Sequence, residues 1–77
     1  MTLFKKKKNK KSALYFSLDH ELNSARIRGQ TSFYYPLNED EVSKCMAWGI
    51  KNRVAIEPDY ITDGITYYKF YGYSLDL

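Results

Sequence analysis

The sequence lacks the residues that usually cross-link or metallate small domains. Its 77 residues include one cysteine, Cys45, and one histidine, His20. A single cysteine excludes an intramolecular disulfide, and a zinc site needs about four Cys, His or carboxylate ligands. We therefore expect no metal and no cofactor. Small secreted domains usually carry several disulfides, so the cysteine count predicts a reducing, cytoplasmic compartment.

Enzyme chemistry also has few candidate residues. The sequence contains no glycine-rich phosphate loop, and a nucleophile and base pair would have to be built around His20. Cys45 falls on the apolar face of a predicted helix, where a thiol packs as a small hydrophobic group. His20 lies between Asp19 and Glu21, a setting typical of a solvated side chain. We therefore predict that the protein is not an enzyme.

Long apolar runs are absent as well. After the N-terminal lysines the apolar stretch is only residues 13–16, too short for a signal peptide. No segment approaches the roughly 18 apolar residues of a membrane-spanning helix. The sequence predicts a protein that is not integral to a membrane.

Charge is abundant and unevenly distributed. The net charge is +3, but residues 1–12 contain no acid and carry +6, which leaves −3 on the rest. We predict a flexible basic tail over residues 1–12 and a single α+β domain over residues 13–77, since this length allows one core. Lysine outnumbers arginine nine to three, a bias typical of a low-GC bacterium or of one of its phages or plasmids. The lysine run consists of Lys5, Lys6, Lys7, Lys8, Lys10 and Lys11.

The clearest local signal predicts a helix over residues 39–52. Asn38 is a good N-cap, Glu41 completes a capping box, and apolar residues recur at helical spacing from Val42 to Ile50. We expect this amphipathic helix to pack on a small, mostly antiparallel sheet.

The strands of that sheet follow from alternation and turn chemistry. Residues 31–37 alternate as a strand, and residues 54–62 and 65–73 flank Asp63-Gly64, a dipeptide suited to a two-residue hairpin turn. Pro58 interrupts the first arm, which predicts a bend or an edge strand there.

Residues 19–30 are ambiguous between a hairpin and a helix. Residues 13–18 alternate like a strand, and continuing the alternation through residue 30 gives a hairpin and the order ββαββ, which we prefer. The alternative is a helix capped by Ser17 with Leu18, Leu22 and Ala25 on one face, which gives αβαββ. In that order the last hairpin would resemble the wing of a winged DNA-binding domain, a likeness of fold alone.

Two groups of residues are predicted to bind partners. The lysine run, together with Arg26 and Arg28 as neighbours on a strand face, is suited to phosphates. One helix covers one face of a sheet, so some tyrosines must be exposed, where they can stack bases or anchor a protein interface. The ordinary alternative for each ring is packing within the domain. The predicted partner-binding residues are Trp48, Tyr34, Tyr67, Tyr68 and Tyr71.

Two functions follow from these residues. The first is a non-catalytic module that binds DNA or RNA through its basic tail and aromatic sheet face. The second is a phage- or plasmid-type inhibitor or adaptor whose acidic, Tyr- and Trp-rich body docks on a host protein, such as one that handles nucleic acid.

Overall fold

The fold is α+β, in the order αβαββ. The computed structural model describes residues 13–75, so the predicted basic tail lies outside the described residues. The elements are α1 (Ala13–Ile27), β1 (Ser32–Pro36), α2 (Glu39–Asn52), β2 (Ala55–Thr62) and β3 (Ile65–Tyr71). The predicted class is confirmed, in the alternative order rather than the preferred ββαββ.

The first element corrects the preferred prediction. The strand expected at residues 13–18 and the hairpin after it are wrong, because one helix, α1, runs from Ala13 to Ile27 and has Ser17 in its interior. Leu18, Leu22 and Ala25 are its buried residues, the same stripe that the helical alternative used. The helical pattern is weak because Phe16 and Ile27 project to solvent instead of joining that stripe.

Helix α2 has the predicted bounds and the predicted cap. The Glu41 backbone N–H donates to Asn38 Oδ1 at 3.0 Å, and the Asn38 backbone N–H donates to Glu41 Oε1 at 3.0 Å. These bonds satisfy amide groups that the first turn of a helix leaves without partners. At the other end the cap residue is Arg53, with a left-handed φ of 60°. Its backbone N–H bonds the Gly49 and Ile50 carbonyls.

The sheet is antiparallel, with β3 in the centre between β1 and β2. The turn between β2 and β3 has φ values of 52° at Asp63 and 75° at Gly64, as the hairpin prediction requires. Strand β2 forms one edge, and its register with β3 shifts between Pro58 and Tyr60. Asp59 is the additional residue of this bulge. Pro58 thus lies in an irregular edge strand, as expected.

The core lies between the two helices and one face of the sheet. Phe33 stacks on Phe70 at a centroid distance of 4.7 Å, and Trp48 meets Phe70 edge-on at 6.1 Å. Because neighbouring residues of a strand point to opposite faces of the sheet, the strand residues that alternate with Phe33 and Phe70 form the second sheet face. No element among residues 13–75 covers that second face. The buried core residues are Leu18, Leu22, Ala25, Phe33, Leu37, Cys45, Trp48, Val54, Phe70 and Tyr73.

Candidate binding surfaces

The uncovered sheet face carries a cluster of tyrosines. In the register of the sheet, Tyr34 of β1 lies beside Lys69 of β3, and Tyr60 of β2 lies beside Tyr67 of β3. Tyr71 follows on the same face of β3, two residues after Lys69, because strand side chains alternate. We call Tyr34, Tyr60, Tyr67, Lys69 and Tyr71 the tyrosine face.

The rings of the tyrosine face touch one another and remain accessible. Tyr60 stacks on Tyr67 with centroids 5.0 Å apart and planes 7° from parallel, while Tyr34 is tilted against Tyr60 at 5.8 Å. The Lys69 Nζ atom lies 5.5 Å from the Tyr71 ring centroid, within cation–π range. Tyr34 and Tyr60 keep 43% and 47% of their surface exposed. The face therefore presents aromatic rings, beside one cation, to a partner.

Two carboxylates of β2 bond to tyrosines of this face. The Tyr71 hydroxyl donates to Glu57 Oε1 at 3.0 Å, and this bond raises the pKa of Tyr71. A hydrogen bond to Asp59 raises the pKa of Tyr34 in the same way. Both hydroxyls are therefore held in their neutral, donating form. The carboxylates orient two of the rings and place negative charge along the β2 side of the face.

The predicted partner-binding residues divide between the two sides of the sheet. Tyr34, Tyr67 and Tyr71 lie on the tyrosine face, whereas Tyr68 packs against the core. Trp48 is 5% exposed, and its Nε1–H donates to Asp19 Oδ1 at 2.9 Å, so it presents little surface to a partner. The prediction omitted Tyr60. The face of the sheet on which Tyr60 lies depends on the bulge at Asp59, and the alternation of the sequence does not reveal that bulge.

A second surface gathers cations at one end of the sheet. Tyr71 pairs with Ser32 on one side and Ala55 on the other, so the starts of β1 and β2 meet the end of β3. The last turn of α1 joins them, because Arg26 Nε donates to the Ser74 carbonyl at 2.8 Å. Helix α2 ends beside the start of β2. We call Arg26, Arg28, Lys51 and Arg53 the basic end.

The opposite end of the sheet is acidic. The Leu37 backbone N–H bonds the Thr66 carbonyl at 3.2 Å, which places the start of α2 beside the β2–β3 turn. Glu39, Asp40 and Glu41 lie in that first helical turn, and Asp63 lies in the hairpin turn. A helix favours acids at its start and bases at its end, which accounts for part of this separation. It does not account for Asp63 or Arg28, which lie outside α2.

The separation of charge between the two ends of the sheet places the predicted pair, Arg26 and Arg28, in a different setting from the expected one. Arg26 and Arg28 do not share a strand face, because Arg26 is in the last turn of α1 and Arg28 follows the helix. They instead share an end of the domain with Lys51 and Arg53, which the sequence analysis did not assign. Residues 25–31, 51–56 and 71–75, which form this end, contain no acidic residue, while Asp19 lines a groove with Lys51 and Glu57 bonds Tyr71 at its border. The net negative charge of the body conceals a local excess of cations.

The groups considered for catalysis lie apart from both surfaces. Cys45 is fully buried, and burial raises the pKa of its thiol to about 11, which suppresses the reactive thiolate. His20 lines an open groove between α1 and β1, next to Phe16, Glu21 and Tyr35. Within residues 13–75, no three His, Cys, Asp or Glu side chains are grouped as metal ligands. Neither α1 nor α2 is long and apolar enough to cross a membrane.

Comparisons with protein families, with curated proteins and with solved structures found no match to this chain. The two surfaces of the domain and the lysine run are therefore the basis for a functional proposal.

Proposed function

We propose that this protein is a small, non-catalytic module that binds DNA or RNA in the cytoplasm. The lysine run and the basic end hold phosphates, and the tyrosine face meets the bases. The observation that carries the proposal is the basic end, where Arg26 and Arg28 from the α1 side and Lys51 and Arg53 from the end of α2 lie at the same end of the sheet.

Cations grouped in this way suit a polyanion. Like charges gathered on a small body repel one another, and a chain of phosphates relieves that repulsion while releasing its own counterions. Three of the four residues of the basic end are arginines, whose planar guanidinium donates two parallel hydrogen bonds to a phosphate. Arg26 uses its Nε–H for Ser74, which leaves the other guanidinium N–H groups for a ligand.

The lysine run supplies the larger share of the charge. Its six lysines form a dense cationic segment joined directly to the start of α1. If all six contacted duplex phosphates, log K would fall with log salt at a slope of about −5. We therefore expect strong, salt-sensitive affinity from the lysine run, and a positioned contact from the basic end.

The test is a salt series with the full chain and fluorescent oligonucleotides. Arg28→Gln combined with Arg53→Gln should reduce the slope of log K against log salt by about 1.4 to 1.8, because each lost phosphate contact removes about 0.7 to 0.9. Lys44→Gln is the matched control, since Lys44 is an exposed cation on α2 outside the basic end. Absence of DNA and RNA binding by the full chain at low salt would overturn the proposal.

One observation favours a second function, and it concerns a surface that has no role in the proposed nucleic-acid binding. The end of the β2–β3 hairpin exposes Ile61 and Ile65 beside Asp63, and Ile61 keeps 70% of its surface exposed. An apolar and acidic hairpin end suits a basic host protein, as expected for an inhibitor or adaptor. Binding to such a protein should be lost in Ile61→Asn with Ile65→Asn, and retained in Ile50→Asn, which alters a still more exposed isoleucine, on α2.

A further inference from the structure

We infer that the nucleic acid bound by this protein is single-stranded, with its bases stacked on the tyrosine face and its phosphates directed to the basic end. This inference rests on the proposed function and narrows it to one class of ligand.

The elements that would enter a duplex groove carry the wrong charge. In helix-turn-helix domains the N-terminal residues of the recognition helix contact base edges between two phosphate backbones. The corresponding residues of α2 are Glu39, Asp40 and Glu41, and the hairpin that would serve as a wing carries Asp59 and Asp63. Duplex DNA presents one negative charge per about 1.7 Å of its axis, so these carboxylates would be repelled. The order αβαββ therefore does not support duplex binding through α2 and the hairpin.

The tyrosine face has the features that unpaired bases need. Bases of a single strand stack on exposed aromatic rings, whereas bases in a duplex are already stacked and present only their edges. Tyr34, Tyr60 and Tyr67 form a connected group of rings on a sheet face that no described element covers. Lys69 lies in the same face, where it can meet a phosphate between two bases.

The charges around the tyrosine face define a path for the strand. Glu57 and Asp59 lie along β2 and repel phosphates on that side. From Tyr67 to Tyr71 the face extends about 13 Å, at roughly 3.3 Å per strand residue. Tyr71 ends β3 at the same end of the sheet as the basic end. Glu57 lies opposite Lys69 and accepts a bond from the Tyr71 hydroxyl, so the favourable exit for a strand that stacks on the tyrosines runs along the β1 side of Lys69, toward Arg28.

The experiment compares a labelled 12-nucleotide strand with the duplex of the same sequence, bound to the full chain across a salt series. We expect the strand to bind at least about ten-fold more tightly, since each stacked base contributes about 5- to 150-fold. Tyr60→Leu should lose that factor, because leucine keeps apolar bulk without a ring. Tyr60→Phe should restore it, and circular dichroism checks that each variant is folded.

The outcomes separate this inference from the proposed function. Equal or tighter binding of the duplex, or a Tyr60→Leu variant that binds the strand as the wild type does, would overturn the single-strand inference and leave nucleic-acid binding in place. Absence of binding to the strand and to the duplex would overturn both. Tighter binding of the single strand than of the duplex, lost in Tyr60→Leu and recovered in Tyr60→Phe, would support both the single-strand inference and the proposed function.

Discussion

Replacing Arg53 by glycine should change stability and binding in opposite directions. Arg53 caps α2 with a φ of 60°, a left-handed conformation that favours glycine. For an L-residue this conformation costs about 1–2 kcal/mol. Glycine removes that cost, but it increases the entropy of the unfolded chain by about 0.5–1 kcal/mol. The cap hydrogen bonds use only the backbone N–H, so they persist in the variant.

The net effect of Arg53→Gly is therefore a gain of about 0.5–1 kcal/mol in the free energy of unfolding. For a domain of this size, that gain corresponds to a rise of about 3–6 °C in Tm. Urea unfolding followed by the fluorescence of Trp48, the single and buried tryptophan, measures the gain. Gly29→Ala is the control of opposite sign, because Gly29 has a φ of 71° in open space and alanine there introduces strain without a steric clash.

The same variant should bind a single strand less tightly. Loss of one phosphate contact reduces the slope of log K against log salt by about 0.7 for a single strand. A charged residue in a strained backbone conformation is consistent with a functional charge, because conflicts with local preference are expected at functional sites. If Arg53→Gly destabilises the protein, the left-handed cap is wrong. If it leaves binding unchanged at every salt concentration, Arg53 is not part of the phosphate surface.

Three further predictions concern the core. Gly49→Ala should lower the free energy of unfolding by about 1–2 kcal/mol in urea titrations, because the new Cβ would lie 2.8 Å from the Val54 carbonyl oxygen. A gain of about 1 kcal/mol, as expected at an exposed helical glycine, would contradict this contact. Trp48→Phe should cost about 1–2 kcal/mol, since it removes the hydrogen bond to Asp19. Because this variant lacks the single tryptophan, its urea unfolding is followed by circular dichroism, and an unchanged urea midpoint would contradict that role. Burial raises the pKa of the Cys45 thiol from 9.0 to about 11, so the folded state favours the protonated thiol. The free energy of unfolding therefore falls as the pH rises from 9 to 11, because the unfolded state loses this proton first. Unfolding measured across that range should show a weaker pH dependence in Cys45→Ala than in the wild type, and equal pH dependence would contradict the shift.

The parts of the fold that the sequence predicted well are those fixed by neighbouring residues. The capping box of α2 lies within four residues, and the Asp63-Gly64 turn sets its own geometry. Helix α1 depends instead on distant contacts, since Leu18 and Leu22 are buried in a core that includes Phe33 and Phe70 of the sheet. The outward Phe16 further conceals the helical period, so local alternation favoured a strand.

The candidate surfaces were predictable only in part, for a related reason. Alternation indicates which residues of one strand share a face, and it placed Tyr67 and Tyr71 together. It does not show that a bulge at Asp59 turns Tyr60 toward the same side. The basic end is less visible still, because Arg28 and Arg53 are far apart in the sequence and only the order of the strands brings their loops to one end.

The lysine run and the tyrosine face should be separable by salt alone. Phosphate contacts weaken as salt rises, because fewer counterions are released, whereas stacking on tyrosine rings depends little on ionic strength. Substituting glutamine for the lysine run should therefore flatten the salt dependence of single-strand binding while preserving affinity at about 1 M salt, where the Debye length is only about 3 Å. Tyr60→Leu should do the reverse, lowering affinity at every salt concentration with the slope unchanged. If both variants changed only the slope, the rings would contribute no stacking, and the lysine run would account for binding without the sheet.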